Sequence, residues 1–310
     1  MKLAARFAAT LAAASVIIFL LMRAVPGNPA RVALGVNATD EAIAKLTASL
    51  GLDRPLPVQY WEWVRGLLTG NFGTSLSSGQ DITPLVIDRA QVSLLLVGCA
   101  MVLALAAAIP VGVWLALRNN SRGAAWLTAA TQVGIAVPSF LVGILLVAIF
   151  AVRLGWLPAN GWLPPNQGGL RYLVLPVIAL ALVQGAILTR YVCSAVLDVM
   201  NQDYIRTARS LGLSRRQAIY RHGLRNAALP VLTVAGVQLT TLVVGAVVIE
   251  SVFVIPGLGS MLLDAVGVRD LTTVQTLVML LVAFTLTVNL LTEIAYRVID
   301  PRVARQEVAR

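Results

Sequence analysis

The sequence predicts an all-α integral membrane protein with six transmembrane helices and a small extracytoplasmic segment after the first of them. The 310 residues are 58% hydrophobic and only 12% charged, with a mean hydropathy of +0.83. A soluble domain carries about twice that charged fraction. Six apolar runs are each long enough to cross a bilayer, since about 20 helical residues span a hydrocarbon core of ~30 Å. Such runs must be helical in lipid, because a helix satisfies its own backbone polar groups.

The predicted spans follow one another with short connections, except after the first. They are Leu3–Val25, Val92–Leu117, Ala124–Val152, Leu173–Cys193, Pro230–Ile255 and Val274–Tyr296. The first run, with Lys2 and Arg6 before it, also fits a cleaved signal peptide. No A-x-A cleavage site closes that run, and "MRAVPGNP" follows it. We therefore expect an uncleaved first helix.

These spans divide the chain into four parts. The parts are a first transmembrane helix (1–25), an extracytoplasmic segment (26–91), a five-helix core (92–296) that contains a cytoplasmic loop (201–229), and a tail (297–310). The extracytoplasmic segment is expected to hold a short helix from about Asp40 and an amphipathic helix at "QYWEWVRGLL". A segment of about 65 residues is small for an independent core. We expect it to pack against the membrane-spanning part.

The orientation follows from the placement of lysine and arginine. With the N-terminus inside, the inner connections hold Arg118, Arg122 and six arginines between Arg206 and Arg225, whereas basic residues outside are balanced by acids. Both termini are then cytoplasmic. The net charge of +10 does not predict nucleic-acid binding, because arginine blocks between spans more often set topology.

The connection before the fifth span is unusually basic. It reads "RTARSLGLSRRQAIYRHGLRNAALP" and contains six arginines and no acid. Asp203 is expected to cap a helix that starts at Tyr204. Gly212 fits the C′ position, where a left-handed backbone conformation costs little. Ser214 and Gln217 fit a capping box for a second helix, which runs from Arg215 to about Ala228.

Pro230 is then expected in the first turn of the next membrane helix. On physical grounds alone, this connection fits two functions equally well. It is either an amphipathic helix on an anionic lipid surface or an element that docks on another protein.

The connection resembles the EAA loop of permease subunits from ATP-binding-cassette (ABC) importers, in the dipeptide/oligopeptide/nickel branch. The resemblance continues in order along the chain, in "LMRAVPGNPA", "GLDRPLPVQYWEWVRGLLTGNFGTSL", "ESVFVIPGLGSMLLDAV" and "NLLTEIAYRVIDPR". Two departures are "RTA" in place of the acid that names the loop and "DRAQVSL" before the second span. The resemblance implies a type I importer permease fold.

The same resemblance implies that the loop docks in a groove of an ATPase subunit. The residues it assigns to this coupling are Arg206, Thr207, Ala208, Arg209, Leu211, Gly212, Leu213, Ser214, Arg215, Arg216 and Gln217. Leu211, Leu213, Ala218 and Ile219 are candidates for the apolar contact. The implied partners are a second homologous permease, two ATPase subunits and an extracytoplasmic substrate-binding protein, with membrane lipid around them. The binding protein would meet segment 26–91 and the loop Ile255–Gly259.

The chain lacks the residues for its own energy source or for covalent catalysis. No G-x-x-x-x-G-K-[ST] motif and no H-E-x-x-H motif occurs, and His222 is the single histidine. Cys99 and Cys193 each lie in an apolar run, and their spacing fits no metal site. We expect no catalytic, cofactor or metal site, so that ATP and Mg²⁺ would bind to the partner ATPases.

A few polar or flexible positions in the spans are candidates for the translocation path or its gate. These are Gln184, Gln238, Glu250, Asn289, Pro256 and Gly257. Their alternative role is interhelical hydrogen bonding, and Glu250 could instead be an interfacial acid paired with Arg269. Pro110, Pro138 and Pro176 are each expected to kink or break a helix.

Two other classes of membrane protein are weaker predictions. A secondary transporter driven by an ion gradient should contain paired ionisable groups near the bilayer midplane and two related halves, and neither is apparent. A structural scaffold would not need the arginine-rich loop. The transported solute cannot be read from this sequence.

Overall fold

A computed structural model describes residues 2–26, 29–34, 39–164 and 167–299. The end of the predicted tail, 300–310, lies outside the described residues. The regular secondary structure of the described chain is helical, apart from one isolated antiparallel bridge between Thr74 and Asp81. The helices are α1 Lys2–Ala24, α2 Pro29–Leu34, α3 Asp40–Ser49, α4 Leu56–Thr69, α5 Thr83–Leu117, α6 Arg122–Ala136, α7 Ser139–Leu146, α8 Leu170–Met200, α9 Asp203–Ser210, α10 Arg215–Ala218, α11 Leu224–Val252, α12 Leu258–Gly267 and α13 Leu271–Ile299. π-helical turns over Val147–Arg153 and Ile219–Gly223 extend α7 and join α10 to α11.

Five helices are long and apolar enough to cross a membrane by themselves. They are α1, α5, α8, the continuous helix Arg215–Val252 and α13. The predicted first span and the two predicted helices of the extracytoplasmic segment, α3 and α4, are confirmed. The helix that contains the predicted second span begins at Thr83, nine residues before Val92, because the polar residues before Val92 are also helical.

The predicted third span, Ala124–Val152, is not one straight helix. It consists of α6 and α7 with its π-helical extension, and these two parts are bent by 101° at Val137 and Pro138. Val137 has an extended backbone (φ −89°, ψ 124°). A residue before proline is pushed out of the helical region by the proline ring. Pro138 therefore breaks this span, as predicted.

The other span prolines do not break their helices. Pro110 lies inside α5 and Pro176 inside α8, and both helices continue on either side. Pro230 was expected to begin a new helix, but it lies inside the helix that runs without interruption from Arg215 to Val252. Membrane helices tolerate interior proline, because neighbouring groups re-satisfy the freed carbonyl.

The described chain forms two compact units. One unit consists of the described residues within 1–93 and 256–287, and the other consists of those within 94–255 and 288–310. In the first unit α4 packs on α1 through aromatic rings: Phe19 and Tyr60 meet edge to face at 5.4 Å between ring centroids. The Tyr60 hydroxyl also lies 2.8 Å from Ser15 Oγ. As expected, this part of segment 26–91 packs on the first membrane helix.

A buried carboxylate organises the rest of the first unit. Asp270 precedes α13 and is 3% exposed. It accepts hydrogen bonds from the backbone N–H and the hydroxyl of Thr273, at 3.2 and 2.9 Å, and so caps α13. It also accepts from the Leu76 backbone N–H at 3.1 Å and from the hydroxyls of Ser75 and Ser77. One side chain therefore joins a helix start to a distant turn.

A second carboxylate, which is exposed, caps the start of α5. Asp81 accepts a hydrogen bond from the Thr83 backbone N–H at 2.8 Å. This bond lowers the pKa of Asp81 below its usual value, because it favours the charged form.

The second unit is built around α8, which has buried residues along most of its length. Glycines allow close approach to it and to α11. A Cβ at Gly112 of α5 would lie 2.7 Å from the Val192 side chain, and one at Gly143 of α7 would lie 2.8 Å from the Phe253 ring. These glycines set the helix spacing of the bundle.

Contacts within the second unit determine how many times the chain crosses the membrane. Val113 and Ala116, at the end of α5, belong to one buried cluster with Ile205 and Ala218 of the arginine-rich loop. The turn after α5 and this loop therefore lie at the same end of the unit. The chain must cross an even number of times between them, so the bent pair α6–α7 makes one crossing and α8 the other. The protein has six transmembrane spans.

We expect Asp270→Ala to lower the free energy of unfolding by about 3–5 kcal/mol, because several buried donors lose a charged acceptor. Thermal unfolding of the purified protein in detergent measures this. Asp264→Ala is the matched control, since Asp264 is an exposed acid on α12 of the same unit. Equal melting temperatures for the two variants would contradict the role given to Asp270.

Candidate functional site

The arginine-rich loop forms a helical corner. Here α9 ends at Ser210, and Gly212 adopts a left-handed backbone with φ +94°. The Leu213 N–H donates to the Ala208 carbonyl at 3.3 Å and the Gly212 N–H donates to the Arg209 carbonyl at 3.0 Å. This is the Schellman pattern of hydrogen bonds. The predicted C′ position of Gly212 is confirmed.

The second helix of the corner begins with the predicted capping box. Ser214 Oγ accepts from the Gln217 backbone N–H at 3.3 Å, and the Gln217 side chain accepts from the Ser214 backbone N–H at 3.0 Å. The first helix differs from the prediction, because Gln202 is the N-cap residue and Asp203 lies in the first turn. An acid in the first turn still interacts favourably with the helix dipole.

One face of the corner is buried inside this chain. Ile205 and Ala208 of α9, and Ala218 and Ile219 of the second helix, are each at most 8% exposed. They join a cluster with the inner ends of α5, α8 and α11, namely Val113, Ala116, Val192, Ala195, Val196, Val199 and Ala227. Leu213 is partly buried against the same cluster. Ala218 and Ile219 are therefore internal contacts and not, as predicted, surface contacts for a partner.

The opposite face of the corner is exposed. Leu211 is 81% exposed at the tip, next to Gly212, and an added Cβ at Gly212 would meet no atom within 4 Å. The other exposed members of the predicted site are Arg206, Thr207, Arg209, Ser214, Arg215, Arg216 and Gln217. The corner therefore presents one apolar tip surrounded by polar and basic side chains.

The arginines of the corner keep most of their positive charge uncompensated. Within the described part of the chain, Asp203 is the one carboxylate within 4 Å of a loop arginine, 3.6 Å from Arg206, and both side chains are exposed. Arg216 lies over the Tyr220 ring, 5.6 Å from its centroid. Arg215 Nε lies 3.1 Å from the Met200 sulfur. The surface is complementary to an acidic partner.

The residues predicted to line the translocation path do not lie together, because some are exposed in a cleft and others are buried. Asn289 is exposed and lines a cleft of about 390 Å³ between α11 and α13. The other residues of this cleft are Thr233, Val237, Thr292, Glu293 and Tyr296. Beside it, the Thr292 side chain lies against Gly236 and leaves no room for a Cβ there. Gln238 is partly buried and does not line this cleft.

Gln184 and Glu250 are both buried, at 5% and 1% exposure. Within the described chain the side-chain oxygen of Gln184 accepts no hydrogen bond. A buried polar atom in this state generally has a water or ligand partner. Glu250 is thus buried inside the protein near the end of α11.

Pro256 and Gly257 belong to the first unit and form the start of α12. The Gly257 N–H donates to Ser260 Oγ at 3.1 Å, and the Leu258 N–H donates to Ser93 Oγ at 2.8 Å. The predicted loop Ile255–Gly259 is therefore helical from Leu258. Immediately before it, Val254 has φ +53°, a strained conformation for a β-branched residue.

Sequence reasoning missed one charged residue in a span. Arg190 lies inside α8, is exposed, and stands 5.8 Å from the centroid of the Tyr191 ring. A charge within a membrane helix is costly and marks a functional candidate. The signal was present in the sequence, because Arg190 interrupts the predicted fourth span.

Two family profiles match this chain. Residues 108–305 match the family described as binding-protein-dependent transport system inner membrane component, and residues 3–97 match the corresponding N-terminal family. The solved structure of an amino acid ABC transporter with histidines has a TM-score of 0.53, with 19% identity over 69% of this chain and 94% of that chain. This similarity supports the fold.

Similar proteins of known sequence cover nearly the whole chain. A probable peptide ABC transporter permease of Sinorhizobium fredii is 35% identical over 95% of both chains. A putative peptide permease of Brucella ovis is 38% identical over 94% of both. The oligopeptide transport system permease AppB of Bacillus subtilis is 35% identical over 93% of both.

We expect Gly212→Val to disrupt the corner, because a β-branched residue in the left-handed region costs ~1–2 kcal/mol. There is open space around Gly212, so any effect must come from the backbone. Hydrogen exchange of the Gly212–Leu213 segment should become faster in this variant. Gly212→Asn, which tolerates the left-handed region, is the control and should exchange like the wild type. Similar exchange in both variants would show that the corner does not need this backbone conformation.

Proposed function

The chain belongs to the binding-protein-dependent transport system inner membrane components, and we propose from this that it carries peptides or similar small solutes into the cell. It is a permease subunit of an ABC importer and forms half of the translocation path. The proposal of peptides as solute is supported by the names of the relatives from three bacterial genera.

The energy for transport would come from other chains. This sequence contains no phosphate-binding loop, so ATP and Mg²⁺ would bind to two ATPase subunits. A second homologous permease would complete the path, and an extracytoplasmic binding protein would deliver the solute. The alternative of an ion-driven secondary transporter is not supported, because the family and relatives are ABC importer permeases.

We propose that the helical corner couples this subunit to its ATPase. The observation that carries this proposal is the two-faced packing of the corner. Its inner face is buried on the ends of α5, α8 and α11, and its outer face presents Leu211 among exposed arginines. An exposed apolar residue surrounded by polar groups is the usual composition of a docking contact.

The subunit would lie in the cytoplasmic membrane of a prokaryote with both termini inside. Six spans place the termini on one side, and the short basic connections favour the cytoplasm. We further propose Gln184, Gln238, Glu250 and Asn289 as path residues, and Pro256 and Gly257 as part of the outer gate.

The reconstituted assembly of both permeases and both ATPases should hydrolyse ATP and import peptide when the binding protein is present. This chain alone should do neither. Leu211→Ala should weaken ATPase binding roughly tenfold, which is typical of a central interface residue, and should reduce uptake. Affinity co-purification and uptake into proteoliposomes measure the two effects.

Leu68→Ala is a matched control, since Leu68 is 79% exposed and lies on α4 of the predicted outer segment. It should retain ATPase binding. Normal ATPase binding by Leu211→Ala would refute the role given to the corner. Uptake that proceeds without the ATPases would refute the ABC mechanism itself.

The orientation predicts which cysteines an impermeant thiol reagent labels in intact cells. After replacement of Cys99 and Cys193 by alanine, a cysteine at Arg65 should react. A cysteine at Gln217 should react only after permeabilisation. Both positions are exposed in the structure, so accessibility within the protein does not decide the result. The reverse pattern would overturn the orientation.

A further inference from the structure

Two arginines and two tryptophans lie close together in the sequence where α5 ends and α6 begins. We call Trp114, Arg118, Arg122 and Trp126 the 114–126 patch. The Arg118 guanidinium carbon lies 5.5 Å from the centroid of the Trp114 ring. The same ring faces the start of α6, since a Cβ at Gly123 would lie 3.7 Å from Trp114 Cη2. The turn between the helices therefore brings the start of α6, and with it the backbone of Arg122, next to the ring that Arg118 contacts.

An apolar cleft extends from this patch along α6. Its volume is about 230 Å³, and Arg122, Ala125, Trp126 and Ala129 line it. The spacing of these residues places them on one face of the helix. The cleft is shallow and open, the Trp126 side chain that lines it is 79% exposed, and Arg122 lies at the end nearest the turn. The cleft thus has a cation at its mouth and apolar side chains beyond it.

The patch has an uncompensated positive charge. Residues 108–136 contain no acid. In the described part of the chain, neither Arg118 nor Arg122 has a carboxylate oxygen within 4 Å. The inner end of α5 reaches the same buried cluster as the arginine-rich corner. The patch therefore lies at the end of the bundle that the basic residues assign to the cytoplasm.

We propose that the 114–126 patch binds an anionic phospholipid of the cytoplasmic leaflet. Arg118 and Arg122 hold the phosphate, because guanidinium groups bind phosphate oxygens in a fork geometry. One acyl chain lies in the cleft along Ala125 and Ala129, and Trp126 stands at the headgroup level, where indole rings concentrate. A lipid fills both parts of the site at once, whereas an acidic protein surface would pair with the arginines and leave the cleft open.

This inference rests on the proposed orientation and not on the transported solute. It is tested with the full chain in nanodiscs, in a variant that keeps Trp114 and Trp126 and has the other four tryptophans replaced by phenylalanine. A minor fraction of phosphatidylglycerol with brominated acyl chains is added to phosphatidylcholine, and quenching of the two retained tryptophans is recorded. Brominated phosphatidylcholine at the same fraction gives the unselective level. Each arginine should contribute about fivefold to the preference for the anionic lipid.

Arg118→Gln/Arg122→Gln should abolish the preference, and Arg118→Lys/Arg122→Lys should keep part of it because the charge remains. The matched control is Arg221→Gln/Arg225→Gln, which removes the same charge from exposed positions on the same side of the protein and should leave the preference unchanged. The preference should also weaken as salt is added. Equal quenching by the two brominated lipids in the tryptophan variant that keeps both Arg118 and Arg122 would overturn the proposal. Retention of the preference by Arg118→Gln/Arg122→Gln, or its loss in the control, would do the same.

Discussion

The architecture of the second unit depends on the burial of one face of the helical corner. Ile205, Ala208, Ala218 and Ile219 fill the space between the inner ends of α5, α8 and α11. Burial of each isoleucine side chain contributes about 1.5–3 kcal/mol. The corner is consequently a packed part of the bundle and not a free connection. A force applied to its exposed face reaches three spans directly, because close-packed interiors transmit displacement.

Different interactions stabilise the two units and join parts of the chain that are far apart in the sequence. The second unit relies on glycines and alanines that let helices approach, as at Gly112 and Gly143. The first unit relies on hydrogen bonds, since Asp270 caps α13 and holds the turn at Ser75–Ser77. Such a polar centre suits a region outside the hydrocarbon, because a charged side chain is costly inside the membrane. It also fixes the geometry of the surface that the binding protein would meet.

Much of this structure could be predicted from the sequence, and the errors have physical causes. Apolar run length located the six apolar segments but not the size of the bend in the third. Local rules located the corner, because Gly212 and the Ser214–Gln217 pair determine backbone conformation within a few residues. The failures concern tertiary context. Nothing local distinguishes Ala218 and Ile219, which are buried inside the chain, from Leu211, which is exposed. Pro230 fits a helix start equally well, and only the assembled bundle shows that the helix continues through it. The role of Asp270 depends on a turn almost two hundred positions away, although "DLTT" does contain the signal of a helix cap.

The uninterrupted helix from Arg215 to Val252 has a mechanical consequence. Its 38 residues extend about 57 Å, nearly twice the thickness of the hydrocarbon. Gly236 lies near the middle of this helix and is in close contact with Thr292, so the helix could pivot at this point. A stiff rod that tilts by about 5° around this point moves its two ends by roughly 2–3 Å each, in opposite directions. If the corner docks on an ATPase as proposed, an inward displacement of that end of the helix would move the opposite end outward. The passage would then open on one side of the membrane as it closes on the other.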